Sequence, residues 1–112
     1  MEYSYELIEK FIKPKLKEEC KRLNIPPDFI QDIVLHTRPG FKPIIVKGER
    51  KVVLFISEHS KSLNQMLSDF YYGMRLAKGE YEGKDVSNLR ATLYSLKRKF
   101  ENSFKYIFQI IL

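Results

Sequence analysis

The chain predicts an α+β fold: a small three-stranded antiparallel meander packed against an N-terminal helix and two C-terminal helices, the last one long. Three observations predict it. Leu89, Leu93, Leu96, Phe100, Phe104, Ile107 and Ile111 recur at helical spacing near the end of the chain. Two short runs rich in Ile and Val, 43–47 and 51–57, flank a junction containing Gly48, the pattern of a hairpin. With 112 residues, 44% hydrophobic and 13% aromatic, the chain buries one core and hardly two, so 1–112 reads as a single domain.

The first helix is expected over 4–24, with Leu7, Ile8, Phe11, Ile12, Leu16, Cys20 and Leu23 on one side. Pro14 falls inside it. A proline there removes a hydrogen bond and clashes one turn back, at ~3 kcal/mol, so a kink or two short helices is expected. Pro26 and Pro27 stop the helix. Residues 33–38 suit a strand or a helix and are assigned to the first strand, with Pro39 and Gly40 turning the chain into the second. After the sheet, Leu63, Met66, Leu67, Phe70, Met74 and Ala77 form an apolar stripe, Ser62 and Gln65 are spaced as a cap, and Gly79 is expected to end the helix. On its far side Tyr72 and Leu76, beside Arg75, have the composition of a contact surface.

The last helix, 88–111, is capped by Asp85 or Ser87 and spans roughly 36 Å at 1.5 Å per residue. Its apolar stripe is expected to face the core. On a helical wheel Arg90, Tyr94, Lys97, Arg98 and Lys105 then form a basic flank, with Glu101 among them, and Phe108 and Leu112 continue that flank as apolar residues. A helix with a second greasy side needs a second protomer, another partner or the N-terminal helix to cover it, and a homodimer is the preferred account.

Charge and composition narrow the classes of function. The net charge of +6 is concentrated towards the C-terminus, which invites polyanionic partners. No apolar run reaches the roughly 20 residues of a membrane span, and the three glutamates within the first ten residues do not suit a signal peptide, so a soluble cytoplasmic protein is expected. Cys20 is alone, which fits a reducing compartment and leaves no disulfide or cysteine zinc cluster within one chain. Two alanines against fourteen lysines and eleven isoleucines suit an AT-rich genome, such as that of a virus or mobile element.

Catalytic signals are sparse. The five glycines form neither phosphate-binding pattern, so no nucleotide cofactor is expected. His36 and His59 lack metal-ligand spacing, and no metal is expected. Pro27-Asp28 followed by Glu49-Arg50-Lys51 resembles, in order, the P-D and E-x-K elements of restriction-type nucleases, which implies a minor reading as a magnesium-dependent nuclease. In that family the E-x-K lies within a buried strand, whereas here it falls at the hairpin junction. The leading expectation is a small regulatory or accessory nucleic-acid-binding protein: Arg90, Lys97, Arg98 and Lys105 meet phosphates and Tyr94 stacks. The alternative is a protein-binding module, an inhibitor, adaptor or assembly protein, using Tyr72, Leu76, Phe108 and Leu112.

Overall fold

The computed structural model describes the backbone of residues 2–36, 44–46, 50–60 and 62–111, and side chains within 5–36, 50–60 and 62–104. Helix α1 (Glu2–Leu7) runs into a π-helical turn (Ile8–Ile12) and a 3-10 turn (Lys13–Lys15) before α2 (Leu16–Leu23). The irregular middle has an identifiable cause. Pro14 sits within the 3-10 turn and leaves the carbonyl one turn earlier without its usual donor, so the helix widens and then tightens around it. Asn24, at φ 60° and ψ 44°, closes α2 in the left-handed conformation. From the next layer, the Lys78 ammonium donates to the Leu23 carbonyl at 2.9 Å and so satisfies the end of α2.

The antiparallel meander expected from the sequence does not form. The chain is mostly helical, and its described sheet is mixed, in the order β1-β3-β2. Strands β1 (Ile30–His36) and β3 (Lys51–Ser57) run parallel, with Ile33 opposite Leu54 and Leu35 opposite Ile56. The short β2 (Ile44–Val46) pairs antiparallel with β3. The physical reason lies in β3. Val52, Leu54 and Ile56 are all buried, and an unbroken apolar run of this kind takes the centre of a sheet, leaving the three-residue β2 at an edge. A meander would have put β2 in the middle. Residues 37–43 and 47–49, to which the Pro39-Gly40 turn and most of the hairpin junction belong, lie outside the described residues.

Helix α3 (Leu63–Glu82) covers the sheet, burying Met66, Phe70, Tyr71 and Met74. The Ser62 hydroxyl accepts from the Gln65 N–H and caps its start. The helix does not stop at Gly79 but continues to a left-handed Gly83 at φ 70°. Gly79 instead makes room for a neighbour. A Cβ there would lie 2.7 Å from the Lys84 carbonyl oxygen and 2.5 Å from a Val86 methyl, so its missing side chain lets the returning loop press against α3. At the other end of the sheet, Asp69 of α3 accepts from the Ser57 N–H at 3.0 Å and clasps the end of β3, and burial pushes its carboxyl above the usual range. The last helix, α4 (Asn88–Ile111), starts at Ser87, whose hydroxyl accepts from the Arg90 N–H, and packs along α3.

Candidate functional site: the two faces of the last helix

The face of α4 that meets the rest of the protein is not its apolar stripe. Asn88, Ala91, Ser95, Arg98 and Asn102, spaced by three and four residues, form the inner row. Ala91, Ser95 and Arg98 are buried. Small side chains let the helices approach, and polar ones then find partners on α3. Ser95 donates to the Ser68 carbonyl at 2.9 Å, Lys99 donates to the Ser68 hydroxyl at 2.6 Å, and Asn102 donates to the Tyr71 hydroxyl at 2.6 Å. The Tyr72 hydroxyl donates to the Asn88 side-chain oxygen.

At the heart of this interface lies an ion cluster. Glu19 of α2, 1% exposed, receives Arg98 Nε at 2.9 Å and the Tyr94 hydroxyl. Arg98 also meets Glu101 at 3.0 Å, Glu101 meets Arg22 at 2.6 Å, and the guanidinium lies 5.1 Å from the centre of the Tyr71 ring. Burial works against the charge of Arg98, but the Glu19 carboxylate more than offsets it, and the guanidinium is held above its ordinary value. Burial pushes the Tyr94 phenol well above its usual range, and the hydrogen bond to Glu19 adds in the same direction. Burial, reinforced by the neighbouring Glu19 charge, raises the Cys20 thiol to about 11, so it is an inert core group rather than a nucleophile.

The outer face carries the stripe. Leu89, Leu93, Leu96, Phe100 and Phe104 are between 52% and 70% exposed, and the Phe100 and Phe104 rings stack at 6.2 Å. The orientation expected from the sequence is thereby reversed: the stripe faces solvent, while part of the flank faces the core.

The residues singled out in the sequence therefore separate. Arg98 and Tyr94 are held in the Glu19 cluster, whereas Arg90 and Lys97 are exposed beside the outer stripe. Leu76 is buried and Tyr72 half-buried, so this pair is not an open patch. Lys105 and Phe108 lie where only helical backbone is described, and Leu112 lies outside the described residues. Asp28 is exposed in a 3-10 turn (Pro27–Phe29), and Glu49 lies outside the described residues. His36 packs edge-on against Phe55 at 4.9 Å, and His59 is exposed beside Glu58. Among the described residues no three His, Cys, Asp or Glu side chains gather to hold a metal ion, and no helix is long and apolar enough to cross a membrane.

Sequence reasoning missed the outer stripe as a surface, although two signals were present. The opposite side of the same helix is built from small or hydrogen-bonding residues, and α3 with the strands already supplies a full apolar core. No known protein family, characterised protein or solved structure matches the chain.

Proposed function

We propose that this protein is a protein-interaction module that engages its partner through the outer stripe of α4. The observation that carries this reading is the unbroken row of five large apolar side chains, each more than half exposed. Five such side chains present on the order of 500 Å² of apolar surface, as much as the largest patch on a typical monomer, and patches of that size mark binding sites. Nucleic-acid binding draws less support from the geometry. Its affinity rests on open cations, and of the four flank residues whose side chains are described Arg98 is committed to Glu19 and Glu101 and Tyr94 to Glu19, leaving Arg90 and Lys97 exposed.

The test is a double substitution, Leu96→Glu with Phe100→Glu. On an interaction surface these charges leave a cooperative unfolding transition and a native near-ultraviolet circular dichroism spectrum. Loss of the cooperative transition would show that the stripe belongs to the core of the single chain and would end this reading.

A further inference from the structure

We infer that the occupant of the α4 stripe is a second copy of this chain, docked antiparallel about a two-fold axis that passes beside Phe100; the inference rests on the stripe being an interaction surface. Positions 89, 93, 96, 100, 104, 107 and 111 are separated by 4, 3, 4, 4, 3 and 4 residues. That spacing reads the same in both directions. In an antiparallel pair centred on Phe100, position 89 lies level with the partner's Ile111, 93 with the partner's Ile107, and 96 with the partner's Phe104. Every position of the row then lies level with an apolar position of the partner, as an isologous interface requires.

The shape of the stripe fits a helix rather than a broad surface. The described part covers about 80° of the wheel at 100° per residue, the narrow seam of helix-to-helix packing rather than the wider apolar sector of a helix lying on a lipid surface. Its repeat of 11 residues, from 89 to 100 and from 100 to 111, stays close to the natural helical period, so the stripe runs nearly straight along α4. Phe100, at 70% the most exposed of the described members, sits at the centre, where binding energy concentrates.

Charge selects the direction. Arg90 and Lys97 stand exposed on one rim of the stripe, and on the same rim lies the half-buried Glu101, which Arg22 and Arg98 hold in place. Antiparallel docking brings Lys97 within two residues of the level of the partner's Glu101, about 3 Å along the axis, and separates Arg90 from the partner's Arg90 by about 30 Å. Parallel docking would turn the two copies of this rim to opposite sides of the seam, where Lys97 and the partner's Glu101 cannot meet.

The test uses the whole chain in two measurements. Sedimentation equilibrium is expected to give a dimer that dissociates on dilution, with Phe100→Glu weakening it by at least about tenfold. Phe100→Cys is expected to join two chains through a short bismaleimide. Leu93→Cys, whose copies would lie about 21 Å apart along the axis, is not. Cys20 is fully buried and does not compete. A wild-type chain that stays a folded monomer at its highest soluble concentration overturns self-pairing and leaves the interaction surface to a different protein. Linkage through Leu93→Cys, or a dimer indifferent to Phe100→Glu, overturns the antiparallel seam. Unfolding of the Leu96→Glu, Phe100→Glu protein is a separate result, since it removes the underlying surface.

Discussion

The two sides of α4 differ in a way that amphipathicity alone does not explain. The inner side is small, polar and closed; the outer side is large, apolar and open. A hydrophobic stripe says that something must cover it, not that its own domain does. What decides the orientation is Glu19. A buried carboxylate costs several kcal/mol unless it is paired and hydrogen-bonded, and here the partners come from α4, as Arg98 and Tyr94. Turning α4 by half a revolution would bury the leucines and leave Glu19 without either. One buried charge can therefore outweigh a row of apolar side chains, provided those side chains have somewhere else to go.

The largest effect should come from breaking that pairing. Arg98→Ala leaves Glu19 buried without its cation, and is expected to cost about 3–5 kcal/mol, a large part of the stability of a domain this size. Replacing Glu19 and Arg98 together by Leu and Met should cost much less than Arg98→Ala alone, because the uncompensated charge is gone. Urea unfolding of the three proteins measures both. Equal losses in the single and double variants would mean that Glu19 does not orient the helix.

A smaller effect tests closeness rather than charge. Ala91 is fully buried on the inner side, and Ala91→Leu forces extra methyl groups between α4 and its neighbours, at about 1–3 kcal/mol by thermal or urea unfolding. A neutral result would mean that the inner side is looser than the packing implies.

Much of the chain was legible residue by residue, and the failures share one cause. The bounds of β3, the Ser62 cap, the Ser87 cap and the disruption at Pro14 follow from local chemistry, which a short window contains. Pairing β1 with β3 required knowing which strand would be most deeply covered, and reading Gly79 as a helix end required not knowing that Val86 returns to press on it. Orienting α4 was harder still. Glu19 and Arg98 lie 79 residues apart, and Glu19 sits among the exposed Glu6, Glu9 and Glu18, with no local sign that it is the one buried. The stripe itself was plain from spacing, but the rule that apolar faces turn inward assigned it to the wrong surroundings.

The smallest effect separates the two sides by pH. The five described residues of the outer stripe carry no ionisable group, whereas the inner side holds phenols whose ionisation is resisted in the folded state. For Tyr94 the folded-state pKa lies above the ordinary value of 10.0, so the unfolded chain loses its proton first and stability falls as pH rises from about 10 towards the folded value. The fall begins about one unit below the ordinary value, and at lower pH the group contributes no pH dependence. In Tyr94→Phe the lost hydrogen bond to Glu19 lowers the whole stability curve, but this part of its alkaline slope disappears. The gap between the wild-type and variant curves should therefore narrow by a few tenths of a kcal/mol between pH 9 and pH 10. Leu93→Ser, on the other side, should run parallel to wild type over the same interval when both are compared as monomers. A constant gap for Tyr94→Phe would show that the phenol titrates freely, and that the inner side is wetter than its packing implies.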